Sequence, residues 1–258
     1  MTSTMVPNSA TAAQRRSLRI RAYWHGIAFF SAILAFMGVR EAANYTGIPI
    51  RYGYAFHADT WLGLGLAPTL RLQQLRTPFL DWVAIATYMS FFVFPFVAAW
   101  VAFRRCQLHR YALALLLLFG SADLVHVLVP TAPPWLVAAH GTMPAVARVL
   151  EVRGSQISPA VYATGNATAG GNPVAAMPSV HVAWVTLAVL ALDAPAILAL
   201  GYGLLMALAV VYLGEHFAVD TLAGLLLAFL AFRLACRLTP QTAPDSCAAQ
   251  VPSSAMRI

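Results

Sequence analysis

The sequence predicts an all-α polytopic membrane protein: a six-transmembrane-helix bundle plus an interfacial amphipathic segment. Of its 258 residues, 60% are hydrophobic and only 10% are charged, whereas soluble domains carry about a quarter charged residues. Several apolar runs approach the ~20 residues that cross a bilayer as helix. The net charge of +7 comes from arginines gathered beside those runs. That placement fits membrane topology, so nucleic acid is not an expected partner. All sixteen basic residues are arginine and none is lysine, which excludes any chemistry that needs a lysine.

Residues 1–20 read as a polar cytoplasmic tail ending in Arg15, Arg16, Arg19 and Arg21. Residues 21–238 read as one six-helix membrane domain, and 239–258 as a disordered cytoplasmic tail. The first apolar run, 22–39, is taken as an uncleaved helix because further spans follow it. From Asp59 to Leu75, apolar residues alternate with Arg71, Gln73 and Gln74, a pattern for a segment lying at the interface. A second span covers 81–103 and a third 111–129, stopped by Pro130-Thr131-Ala132-Pro133-Pro134-Trp135. The long loop 131–177 is rich in Gly and Pro, and loops of that length are functional or disordered. The fourth span starts at Ser179, the fifth near Pro195, and the sixth near His216, running to about Cys236.

The positive-inside bias orients these spans. Arg104, Arg105 and Arg110 crowd one short loop, and Arg233 and Arg237 end the last span. With these and the N-terminal arginines inside, both termini are cytoplasmic. His126, the proline run, His181 and His216 then all emerge on the extracytoplasmic face. The expected location is a multi-pass integral membrane protein, of the cell membrane if the source is bacterial.

Two stretches carry the chemistry: Met177-Pro178-Ser179-Val180-His181 and Tyr212-Leu213-Gly214-Glu215-His216-Phe217-Ala218-Val219-Asp220. Ionisable groups at a membrane boundary are costly and mark function. His216 and Asp220 are four apart, one face of a helix. There a carboxylate can fix the imidazole tautomer and leave the other nitrogen to attack. The same spacing also suits a helix-terminal pair that only satisfies buried polarity. Ser179 suits an N-cap, and the free N–H groups at such a helix start attract anions. His181, just inside, could donate a proton to a leaving oxygen, or sit among headgroups. Taken together, two histidines and an aspartate suggest covalent phosphoryl transfer.

The two stretches resemble the type 2 phosphatidic acid phosphatase superfamily of integral membrane enzymes with a six-helix core. Pro178-Ser179-Val180-His181 matches its Pro-Ser-x-His signature, and Tyr212, Gly214, His216, Asp220 and Gly224 fit its last one. The resemblance implies that His216 is the nucleophile, Asp220 its orienting partner and His181 the acid. Two features depart from the pattern. Val210 stands where the family has an arginine, and the Lys-containing phosphate clamp is absent. The proline run after the third span and Ser-Val-His-Val-Ala-Trp look like the branch containing inositol phosphorylceramide synthases. That likeness implies transfer of a phospho-headgroup between lipids. The expected partners are phospholipid, sphingolipid or polyprenyl phosphate.

No cofactor and no metal are expected if cationic side chains stabilise the phosphoryl oxygens. Arg148 and Arg153 in the long loop are the candidates, with Arg51, Arg71 and Arg76 behind them. Ser179, His126 and Asp123 complete the expected phosphate- and substrate-binding set. Glu215 is expected to point into solvent, and His25, His57 and His140 to be interfacial. Two rival functions are also compatible with the sequence: a lipid phosphate or polyprenyl diphosphate phosphatase on the same scaffold, and a non-catalytic lipid transporter or binding protein.

Overall fold

The computed structural model describes residues 12–160, 163–164, 172 and 174–239. The expected tails therefore lie largely outside the described residues, at 1–11 and 240–258. Helix α1 already runs through the remainder of the first tail, spanning Ala12–Ala42. Every regular element among the described residues is a helix, and four helical stretches are long and apolar enough to cross a membrane. These are Tyr23–Tyr45, Pro78–Arg104, Leu108–Leu128 and Ala218–Leu238. Two shorter apolar helices, Val180–Leu190 and Ala196–Tyr212, complete a six-membered bundle.

The expected interfacial segment is two short helices, α2 (Tyr54–Leu62) and α3 (Pro68–Gln73). Pro68 sits at the start of α3, where its missing N–H costs nothing. The pair packs across one end of the bundle. Gln73 donates from Nε2 to the carbonyls of Ala147 (2.8 Å) and Tyr212 (3.0 Å), and accepts from Ala147 N–H at 2.9 Å.

The second span is also divided, into α4 (Pro78–Ser90) and α5 (Phe94–Arg104). Pro95 is responsible: it has no N–H to give, and its ring collides with the carbonyl four residues earlier. The resulting turn at 91–93 packs Phe91 against the core and leaves Phe92 exposed beside it.

Helix α6 (Leu108–Leu128) is followed by the long loop, which holds two helices of its own, α7 (Pro134–Ala139) and α8 (Val149–Ile157). Its two ends are tied together, with Thr131 N–H on Val174 O at 2.8 Å and Ala176 N–H on Thr131 O at 3.1 Å. Helix α9 (Val180–Leu190) is the hub, packed on α5, α6, α10 (Ala196–Tyr212) and α11 (Ala218–Leu238). Ten of its eleven residues are buried, which explains why it is apolar all round rather than on one stripe. Eleven residues rise only ~17 Å, so α9 does not bridge the hydrocarbon core alone; its neighbours cover both ends.

At the end away from the interfacial helices, Arg105 donates to Leu192 O at 2.7 Å and Arg110 pairs with Asp193 at 3.6 Å. The arginine-rich loop and the α9–α10 turn therefore share that end.

Candidate functional site

The two motifs meet at the opposite end. His181 Nδ1 lies 3.0 Å from His216 Nε2. His216 Nδ1 lies 2.9 Å from the carbonyl oxygen of Ala176, and His181 Nε2 lies 3.1 Å from the Tyr88 hydroxyl. A carbonyl only accepts, so His216 carries its proton on Nδ1 and presents a lone pair at Nε2. His181 then donates from Nδ1 to that lone pair and accepts from Tyr88 at Nε2.

Asp220 is fully buried beside this chain, with Oδ2 3.7 Å from His216 Nδ1. That is an ion-pair distance, and longer than a hydrogen bond. Oδ2 instead accepts the Phe217 N–H at 2.8 Å, and Oδ1 has no partner. The expected i,i+4 helical pair is altered because α11 begins at Ala218 and His216 precedes it. The same turn redirects Glu215. Far from pointing into solvent, it is buried and pairs with Arg148 at 2.9 Å.

Two glycines explain how the motifs close on each other. Gly214 has φ +79°, and a Cβ there would stand 2.8 Å from Ala147 O. Gly224 has no such strain, but its Cβ would stand 2.4 Å from Ser179 O. Only a glycine on α11 lets the start of α9 lie against it, where Ser179 N–H donates to Asp220 O at 2.9 Å. Ser179 occupies the N-cap position, but its hydroxyl makes no capping bond and is left buried without a partner. The expected side-chain cap is replaced by that backbone contact.

A cavity of about 620 Å³ opens beside the histidines. Its polar lining includes His126, His181, His216, Glu215, Arg40 and Glu41, and the rest is largely aromatic and aliphatic, including Phe91, Phe92, Phe96, Ile33 and Met37. His126 contributes with Nε2 3.4 Å from Pro178 O. Asp123 is buried one turn earlier, behind the lining, with Oδ1 unpartnered.

The arginine candidates divide. Arg148 lies next to the cavity, paired with Glu215 and stacked 4.6 Å over the Trp135 ring. Arg153 is placed elsewhere: it pairs with Asp81 at 2.8 Å, where Arg76 (3.1 Å) and the Tyr212 hydroxyl (2.6 Å) converge too. Its charge closes a buried cluster between α4, α8 and α10 rather than facing the histidines. Arg71 donates to Gly63 O, and Arg51 is exposed. His140 stacks on Tyr52 and His25 faces His109, both away from the cavity.

Sequence reasoning missed Tyr88, the Ala176 carbonyl and Arg40. Nothing in the sequence marks a carbonyl or one tyrosine of an aromatic-rich span. Arg40 did carry a signal: it ends the first span on the side that the sequence leads one to expect outside, where the positive-inside bias disfavours arginine.

A family profile described as PAP2 superfamily matches residues 55–234, more than half of the chain. No curated protein and no solved structure matches it.

Proposed function

The chain belongs to the PAP2 superfamily, a phosphatase-type enzyme family acting on lipid or phosphate substrates, and on that premise we propose that this protein is a lipid phosphotransferase working through a phosphohistidine at the extracytoplasmic face. The observation that carries the reading is the 3.0 Å His181–His216 contact in the wall of an aromatic-lined cavity. An amphiphile fits such a cavity, with phosphate at the histidines and chain along the phenylalanines.

In the first half-reaction the Nε2 lone pair of His216 attacks phosphorus. The bond from phosphorus to the leaving alcohol breaks, and His181, which takes up a second proton as the anionic phosphate enters, gives that oxygen one and returns to the neutral ring. A phosphorus atom does not fit between nitrogens 3.0 Å apart, so the rings part when substrate enters. The positive charge that develops on the phosphorylated ring is met by the Asp220 carboxylate and by the Nδ1–H bond to Ala176. In the second half-reaction an acceptor hydroxyl attacks phosphorus and gives its proton to His181. The N–P bond breaks and its electron pair returns to Nε2. Each step balances without a metal.

The resemblance of the proline run and of Ser179–Trp184 to inositol phosphorylceramide synthases favours an alcohol over water as acceptor. The arginine-rich loop at the far end of the bundle supports the cytoplasmic assignment of that end. The second reading, a lipid phosphatase on the same scaffold, differs only in the acceptor.

Incubating purified protein in lipid with a headgroup-labelled phospholipid and EDTA separates the readings. Labelled lipid product that disappears in His216→Ala supports the transferase; a water-soluble labelled headgroup phosphate replaces it if water is the acceptor. Equal background from both proteins across a lipid panel overturns both and leaves a binding or transport protein.

A further inference from the structure

Phosphoryl transfer in a dry site needs a cation on the phosphoryl oxygens, and the two expected arginines are already engaged, Arg148 by Glu215 and Arg153 by Asp81. The cavity wall supplies another. Arg40, near the end of α1, lines the cavity with His181 and His216, and it is the one cationic side chain among the described lining residues. It makes no ion pair within 4 Å among the described residues; Tyr88, Glu41 and Asp123 act on it only from farther away. Trp135 lines the same cavity, and its buried indole N–H has no acceptor. A cation without an ion pair and an unanswered donor, both on the wall of the cavity that holds the nucleophile, are the two groups that an anionic ligand would complete.

From this we infer that Arg40, with the Trp135 N–H, binds the transferring phosphoryl group, so that α1 is part of the active site although it precedes the family-matched residues 55–234. The inference rests on the phosphotransfer reading above. It also sets the charge of the substrate. A phosphodiester carries one negative charge, whereas a phosphomonoester carries close to two near neutral pH. Of the acidic lining residues, Glu215 is offset by Arg148 and Glu41 is exposed to solvent. Asp220, paired with His216, offsets the one positive charge that the histidine pair carries during the reaction. A single guanidinium on the cavity wall meets the one charge of a diester more fully than the two charges of a monoester in a low-dielectric cavity. The substrate class is a lipid phosphodiester.

The test uses the full chain in lipid and a labelled phosphodiester lipid, comparing wild type, His216→Ala, Arg40→Gln and Arg40→Lys. Arg40→Gln is expected to lose about 100-fold or more in kcat/KM, as when an oxyanion-hole donor is removed, with Arg40→Lys recovering part of it. Activity retained in His216→Ala sinks the phosphotransfer reading and this inference together. A dead His216→Ala with Arg40→Gln within twofold of wild type sinks only the inference. Because Arg40→Gln could fail to fold, wild-type protein is also labelled with phenylglyoxal and the Arg40 peptide quantified. Protection by inorganic phosphate is the expected result, and equal labelling with and without phosphate overturns the assignment. Wild type should favour the diester over the matching monoester lipid by about tenfold, the scale of one uncompensated charge at moderate effective dielectric; the reverse order contradicts the charge balance.

Discussion

A backbone carbonyl can only accept a hydrogen bond, so the 2.9 Å contact between Ala176 O and His216 Nδ1 decides where the protons of both histidines lie. The carboxylate expected for that task, Asp220, stands 3.7 Å away and contributes charge rather than tautomer. The two roles can be separated by substitution. Asp220→Asn removes the charge that meets the phosphorylated ring but leaves the Ala176 bond in place. Its kcat should fall by about 10–100-fold, less than for His216→Ala, because an electrostatic contact is lost and not the nucleophile. A loss equal to that of His216→Ala would show that the carboxylate does hold the tautomer. The histidines themselves were legible from two short signatures. Their hydrogen-bond partners were not, since a carbonyl leaves no trace in residue type.

At the scale of elements, the start of α11 is held from outside the bundle. Asp59 of α2 is fully buried and accepts the N–H groups of Ala218 at 2.9 Å and Val219 at 2.8 Å, capping the helix that carries Asp220. Removing both acceptors in Asp59→Ala should cost about 1–3 kcal/mol, read as a lower apparent Tm. Burial pushes the Asp59 carboxyl up to about 6, outweighing the two N–H bonds, which favour its ionised form. A raised carboxyl pKa means that the folded state holds the proton more tightly than the unfolded one. The stability from this group is therefore fully present below about pH 4 and is lost as the pH rises through about 6. Asp59→Asn, neutral throughout, should gain on wild type between those limits in paired melts; a difference independent of pH would contradict the assignment. Gly224 makes a second demand on α11. Gly224→Ala places a methyl 2.4 Å from Ser179 O and must push α9 away, at about 1–3 kcal/mol and with loss of activity. Six spans were readable from apolar runs, but the interruption of the second by Pro95 was not anticipated. The proline was visible; that the helix would break there rather than bend depends on the aromatic packing around Phe91.

For the molecule as a whole, the central fact is a buried α9 ringed by helices, with chemistry at one end and an arginine clamp at the other. The all-α membrane fold was legible because composition and span length each depend on the bilayer alone. The site was legible only in part. Arg40 is more than 100 positions from His181 in the chain, and only packing of α1 on α6 brings it to the cavity. The apolar length of that cavity predicts a further behaviour. Short-chain, water-soluble phosphodiesters should lose kcat/KM by orders of magnitude against long-chain lipids, since remote binding energy positions the phosphorus. Equal rates for both would mean that the phenylalanine wall does not hold the chain.

The most direct test of the account is to ask where the phosphoryl group rests between the two half-reactions. Wild-type protein is mixed with phosphate-labelled lipid, quenched under alkaline conditions that preserve phosphohistidine, and digested for peptide mapping. The account predicts an acid-labile, base-stable label on the peptide carrying His216, absent in His216→Ala and chased off by acceptor. Label on another residue, or turnover with no label at any time point under rapid quench, would contradict it.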